Sequence, residues 1–311
     1  MVSKNRFLEA LERDVPLILD GGLATQLEAQ GCDIGNELWS ASLLQSNPEQ
    51  IVTATRAYLE AGAECIATAS YQASREGFAA QGISASDADE RMYLSVDLAR
   101  QARDEYLREN PDAGLMPLLA ASLGPYGAML HDGSEYRGNY GVSAQTLRDF
   151  HAPRLALFDR WDADVLALET IPSRLEAEVL AELLATCSTP AWISFSCRDG
   201  AHVVDGTPLE TVAALFADHP IVAAIGINCT PPQFAAELIA RLRDAAPAKA
   251  AMAYPNSGET YHVEDNSWSG TVTPGDCAEA ARDWVAAGAK IVGGCCRMGP
   301  EHIRAIRDAL R

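Results

Sequence analysis

Positive charge is scarce in this chain of 311 residues: 24 Lys and Arg stand against 43 Asp and Glu, a net charge of −19. A polyanion is repelled by such a surface unless a basic patch is set apart, and none is visible, so neither nucleic acid nor anionic lipid is an expected partner. Long apolar runs are missing as well. Uncharged stretches such as Ile221 to Ile227 are strand-sized, far short of the roughly 20 residues a membrane span requires. The opening MVSKNRFLEALERD has no signal-peptide core and reads as an amphipathic helix with Phe7, Leu8 and Leu11 on one side. A cytoplasmic protein without membrane contact is the expectation. Cysteine is sparse at eight residues, which excludes a disulfide scaffold and leaves free thiols as core, catalytic or metal-binding groups. Also absent are a P-loop, a G-x-S-x-G elbow, an H-E-x-x-H pair and a G-x-G-x-x-G turn, so the usual nucleotide, serine-hydrolase and zinc-protease readings have no support.

What is present is an alternation of short apolar runs with longer helical patterns, the mark of βαβ units. Eight strand candidates stand out: Leu17 to Asp20, Ala63 to Ala69, Met116 to Leu123, Asp164 to Glu169, Ala191 to Cys197, Val222 to Asn228, Lys249 to Tyr254 and Lys290 to Gly294. Helices are expected over Pro48 to Ala61, Asp87 to Arg108 and Ser143 to Trp161. Ala-Gly-Ala at Ala61 to Ala63 and at Ala287 to Ala289 places a glycine where a left-handed helix cap is needed. No linker or composition break divides the chain. The expected fold is α/β, one (β/α)8 TIM barrel forming a single domain over residues 1–311, with an open doubly wound sheet as the alternative. Long loops follow strand three (Gly124 to Gly141) and strand seven (Pro255 to Gly275), and both should cover a site at the C-terminal rim.

At that rim the predicted strand ends bring together Cys229, after strand six, and Cys295-Cys296, after strand eight. Three thiolates can fill three corners of a tetrahedron around Zn²⁺ and leave the fourth open. A strained redox disulfide or two ordinary buried thiols are the alternatives for the vicinal pair. Cys32, Cys65, Cys187, Cys197 and Cys277 read as packing residues. A trithiolate zinc is a poor activator of water, but it can bind a substrate thiol and hold it as a thiolate, which points to alkyl transfer onto sulfur from a cationic donor. Asp20 and Glu169 suit a substrate ammonium, and Tyr71, Trp39 and Tyr254 could offer aromatic faces to the donor. A non-catalytic zinc or redox module is the competing class; a zinc hydrolase is disfavoured by the all-thiolate set.

Taken together, DGGLATQLEAQG (Asp20 to Gly31), LWSA (Leu38 to Ala41), TASYQAS (Thr68 to Ser74), SLGPYGAMLHDGSEYRGNY (Ser122 to Tyr140), ET (Glu169-Thr170), GINC (Gly226 to Cys229), YPNSGE (Tyr254 to Glu259) and GGCCR (Gly293 to Arg297) resemble the homocysteine S-methyltransferase family over nearly the whole chain. The resemblance implies a zinc enzyme that methylates homocysteine to methionine. It implies Cys229, Cys295 and Cys296 as the ligands through which catalysis runs, and Asp20, Gly21 and Glu169 around the amino-acid end of homocysteine. Trp39 and Tyr71 would lie near the donor, with Asn256 near the metal in the absence of substrate. The loop after strand three is similar to that of members using S-methylmethionine, with S-adenosylmethionine as a poorer donor. Thr170 stands where betaine users carry tyrosine, which lowers a betaine-type reading; a selenocysteine-type activity of the same fold is a further alternative. Cobalamin-dependent relatives need modules for which 311 residues leave no room. The implied partners are small molecules, homocysteine and a sulfonium donor, acting on a monomer or small homo-oligomer.

Overall fold

In a computed structural model of the protein, residues 5–35, 38–262, 267–270 and 272–311 are described. Eight parallel strands run β1 (Leu17–Ile18), β2 (Cys65–Ala67), β3 (Leu118–Leu123), β4 (Val165–Ile171), β5 (Ala191–Phe195), β6 (Val222–Asn228), β7 (Ala250–Tyr254) and, after a small antiparallel hairpin β8 (Thr260–His262) and β9 (Ser267–Ser269), β10 (Ala289–Val292). Hydrogen-bonded neighbours follow the order β1-β10-β7-β6-β5-β4-β3-β2. The circle closes between β1 and β2 through a parallel bridge of Leu19 with Cys65. There Glu64 N–H donates to the Ile18 carbonyl (2.8 Å) and Asp20 N–H to the Cys65 carbonyl (3.0 Å). This is the expected (β/α)8 TIM barrel. Several strands are shorter than their apolar runs: Met116, for example, is 53% exposed and precedes β3.

The core has the two layers that a barrel demands. Leu17, Leu19, Cys65, Leu118, Val165, Trp192, Met252 and Ile291 fill the interior. A larger shell lies between strands and helices. The interior is closed at its N-terminal end by the helix Arg6–Leu11, whose Phe7 is fully buried 5.8 Å from the Trp192 ring. Arg6 fixes this plug with two bonds to the Asp164 carboxylate, 2.9 and 2.7 Å. The helix Pro48–Ala61 ends as expected at Gly62, φ +100°, and Pro274–Ala287 ends at Gly288, φ +111°; a side chain would be strained at either. No helix among the described residues is long and apolar enough to cross a membrane.

Candidate active site and metal centre

The strand ends open into a cleft of about 530 Å³. Cys229, Cys295 and Cys296 line it, as do Asp20, Gly21, Gly22, Tyr71, Glu135, Tyr136, Glu169, Thr170, Asn228 and Tyr254. The three cysteines come from the two strand ends expected for them. Cys229 leaves β6 at φ +44°, and Arg297, just after the pair, has φ +65°. Non-glycine residues adopt such angles only when their surroundings hold them there, a pattern that gathers at functional sites. The surroundings here are mostly backbone. Cys295 N–H donates to the Pro255 carbonyl (2.9 Å), Ser257 N–H to the Cys296 carbonyl (3.1 Å) and Gly294 N–H to the Asp20 carbonyl (3.0 Å). Gly22 lies so close beneath that a Cβ there would sit 2.6 Å from the Cys295 oxygen.

The three Sγ atoms all lie within 4.8 Å of one another, with Cys229 and Cys296 3.9 Å apart. Two sulfurs on a tetrahedral ion with bonds of about 2.3 Å stand about 3.8 Å apart, so the spacing fits a metal ion. All eight cysteines are free thiols. Bonds from Cys229 and Cys295 hold the Cys296 thiol well below its usual range, while those two thiols are raised. A divalent cation can replace the shared protons, because the cluster presents three sulfurs converging on one point.

Across the cleft stand two carboxylates. Asp20 Oδ2 accepts from Ala67 N–H at 2.7 Å, and burial beside Glu169 pushes its carboxyl up to about 7. Glu169 accepts from the Ser122 hydroxyl and, at 3.0 Å, from Tyr254 OH; burial raises it too, against those two bonds. Two acids that resist ionising side by side make a receptor for a cation, which relieves both desolvation and mutual repulsion. Arg297 reaches the cleft but is committed to Glu259, 2.6 Å away.

Asn228 ties the two sides together. Its Oδ1 accepts from Thr170 N–H (2.7 Å) and its Nδ2 donates to Thr170 Oγ1 (2.7 Å), holding this β-branched residue at φ +63°. The same Nδ2 lies 3.9 Å from Cys295 Sγ. An amide donor of this kind orients a thiolate and tempers its charge. Nothing in the sequence singled out Asn228 for this role, although it stands in GINC beside a ligand cysteine.

Of the other expected residues, Tyr71 lines the cleft, and its backbone carbonyl is clamped by Arg154 (2.9 Å) and Gly124 N–H (3.0 Å). Gly21 lines the cleft as well. Tyr254 turns its hydroxyl to Glu169 and Ser194 at the site's floor. Asn256 is held by its own N–H on the Thr230 carbonyl (3.1 Å), and its Oδ1 is buried with no partner among the described residues. It does not line the cleft. Trp39 belongs to the 3-10 turn Trp39–Ser42; its side chain lies outside the described residues. Cys197 is a buried packing residue away from the cleft.

The two long loops divide their work, where both were expected to cover the site. The first, after β3, folds over the cleft as a helix Tyr126–Leu130 and a 3-10 turn Ser134–Tyr136. It is pinned from outside by fully buried Glu176, which accepts from Tyr126 N–H (2.6 Å) and Tyr140 OH (2.9 Å) and pairs with His151 (2.8 Å). The second, after β7, lies partly outside the described residues. Among those described it contributes no lining beyond Tyr254, because its carbonyls, amides and Glu259 are spent supporting the cysteine turn from behind.

A barrel rim with a convergent trithiolate facing buried carboxylates defines a class: enzymes that hold a substrate thiol on a metal while gripping its charged end. The model of the homocysteine S-methyltransferase family matches residues 17–310. A homocysteine S-methyltransferase of Bacillus subtilis is 47% identical over 93% of this chain and 93% of its own. Another, from Escherichia coli, is 46% identical over 98% and 99%. The metallated form of the E. coli homocysteine methyltransferase MmuM superposes with a TM-score of 0.86 at 43% identity, covering 97% of this chain and 98% of that one. The chain belongs to the homocysteine S-methyltransferase family, and it is an enzyme that transfers a methyl group to homocysteine.

Proposed function

We propose that the chain, acting as one domain over residues 1–311, transfers a methyl group from S-methylmethionine to homocysteine with a zinc ion held by Cys229, Cys295 and Cys296, S-adenosylmethionine serving as a second donor. The observation that carries this reading is the approach of three Sγ atoms to within 4.8 Å at a rim faced by Asp20 and Glu169. Zinc, when bound there, supplies a centre that acidifies the homocysteine thiol and holds its sulfur at the open corner.

The chain's own residues do the rest. Asp20 and Glu169 bind the homocysteine ammonium, and the raised affinity of both for a positive partner fixes the amino-acid end relative to the thiols. Gly21, where a Cβ would collide with the Met298 carbonyl, lets the β1 turn pack there and present its backbone to the amino-acid end of the substrate. Tyr71 borders the cleft where the donor would lie, Trp39 is assigned to the donor by the family resemblance, and Asn256, whose buried Oδ1 has no partner among the described residues, would reach a metal only by turning toward the cleft. The sulfur lone pair attacks the donor methyl carbon, the old carbon–sulfur bond breaks, and its electrons stay on the departing sulfur. Both products are then methionine when S-methylmethionine is the donor. Opposite charges are lost along this path, so a dry cleft assists it. Three thiolates give zinc a net charge of −1, which favours a cationic donor over a neutral one. Thr170, small where betaine users carry tyrosine, supports the sulfonium class.

The test is an assay of zinc-quantified protein with homocysteine and, separately, S-methylmethionine, S-adenosylmethionine and betaine. Methionine should form with the first, less with the second and none with the third, and chelation should abolish it. No methionine from any sulfonium donor would overturn the proposal.

A further inference from the structure

The 3-10 turn Ser134–Tyr136 carries an acid for which the reaction as described has no role. Glu135 is 6% exposed, lines the same cleft as the three thiols, and has its Oε2 buried with no hydrogen-bond partner among the described residues. A buried carboxylate without a partner is costly, and proteins keep such a group where a ligand completes it. Among the described residues no neighbouring cation bonds to it. Arg137, two residues on, is committed to Asp132 and Ser134 by three bonds of 2.7–2.9 Å, and Arg297 is committed to Glu259. Nor can the turn easily swing aside. It packs on the preceding helix so tightly that a Cβ on Gly127 would lie 2.6 Å from the Glu135 nitrogen. That helix is in turn tied to Glu176.

Three positive groups must enter the cleft under the reaction proposed above, the homocysteine ammonium and the ammonium and sulfonium of S-methylmethionine, and of the donor's two only the sulfonium must stand at the thiols. The homocysteine ammonium has Asp20 and Glu169 on the strand ends. The sulfonium of the donor has no anionic partner among those residues, while Glu135 waits on the loop that covers them. Burial, with Asp132 and Cys296 nearby, pushes its carboxyl up to about 7 against the smaller opposing pull of Arg137. We infer that Glu135 is the specificity-determining contact for the methyl donor, an anion that reads the donor's sulfonium charge from the loop after β3. The inference rests on the sulfonium donor of the preceding section. Because that charge is dispersed as the methyl leaves, the contact serves donor binding more than the chemical step.

The experiment compares the zinc-loaded parent with Glu135→Gln, which keeps shape and loses charge, and with Glu135→Asp, which keeps charge. For each, kcat and KM are measured with S-methylmethionine and with homocysteine varied in turn, and the Kd of S-methylmethionine is measured by calorimetry. Glu135→Gln should raise both the KM and the Kd of S-methylmethionine about tenfold, with zinc content and the KM for homocysteine within twofold of the parent; Glu135→Asp should recover part of the loss. Donor KM and Kd unchanged in a folded Glu135→Gln protein would overturn the inference and leave the proposed function standing. An equal rise in the homocysteine KM, or loss of zinc, would overturn it in favour of a general structural role. Should Glu135→Gln not fold, Glu135→Ser takes its place, and a folded Glu135→Ser protein with unaltered donor KM and Kd would likewise overturn it. A parent that makes no methionine from any sulfonium donor would remove both readings at once.

Discussion

The two sides of the cleft are built differently. The carboxylate side takes its acids from strands, Glu169 within β4 beside Thr170 at φ +63° and Asp20 just past β1, each oriented by side-chain or backbone donors, Ser122 and Tyr254 for one and Ala67 N–H for the other. The thiol side rests on irregular backbone: Cys229 at φ +44°, Arg297 at φ +65°, and a turn held by the loop after β7. The difference follows from what each must do. An ammonium can be satisfied by acids in several orientations, whereas a metal needs three sulfurs converging within a few tenths of an ångström. Strand geometry alone does not converge side chains from β6 and β10 in this way, so the backbone bends to achieve it.

Breaking the thiol side should give the largest effect. Removing partners of metal ligands commonly costs 10–100-fold, so losing a ligand, as in Cys295→Ala or Cys229→Ser, should cost about 1,000-fold or more in methionine formation together with the bound metal. Metal analysis beside turnover checks this, and full zinc retention would break the comparison. On the carboxylate side, Glu169→Gln keeps the shape of the site and removes one charge. A charge-assisted bond lost in this way is worth about 1.5–3 kcal/mol, so kcat/KM for homocysteine should fall roughly 10–150-fold with zinc retained. Zinc loss in this variant would mean that the two sides are one unit, coupled through Thr170 and Asn228.

The support behind the covering loop can be weakened without touching either side. Glu176→Ala strands Tyr126 N–H, Tyr140 OH and buried His151 at once, and should cost about 3 kcal/mol of stability, read as a lower urea midpoint. The last effect is on pH dependence and leaves stability near pH 7 almost unchanged. Asp20 is raised from 3.8 to about 7 in the folded, ligand-free chain, so the folded state holds this proton more tightly than the unfolded state does. The associated stability is present below about pH 4 and is lost as pH rises toward 7. Asp20→Asn should therefore flatten the fall in stability between pH 4 and 7 by up to about 3 kcal/mol relative to the parent, measured by denaturant titration at each pH. An identical slope in the two proteins would show that Asp20 is not held protonated by its surroundings.

How much of this was legible in the sequence varies between the same two sides. The barrel and the three thiols were legible because each signal is local: apolar runs alternating with helical patterns, and GINC and GGCC at strand ends. Asp20 and Glu169 were legible for the same reason. Asn228 was not, because its amide acts on Thr170 and Cys295, two residues from other strand ends. Nor were Glu176, His151 and Arg154, charged or polar residues on helices whose burial comes from a loop folding back over them. Glu135 sits in a Gly- and Asp-rich stretch that reads as solvent-exposed, and only the packing of that stretch on Gly127 reveals it as buried. The loop after β7 carries the reverse lesson: its composition resembles that of a lid, while its backbone groups are spent on the cysteine turn.

Whether the three cysteines hold zinc with one corner left for the substrate sulfur can be read by zinc-edge X-ray absorption. The protein alone should show three sulfur neighbours at about 2.3 Å, and four after homocysteine is added. A sulfur count that does not rise with homocysteine, or a protein that retains no zinc, would contradict that arrangement.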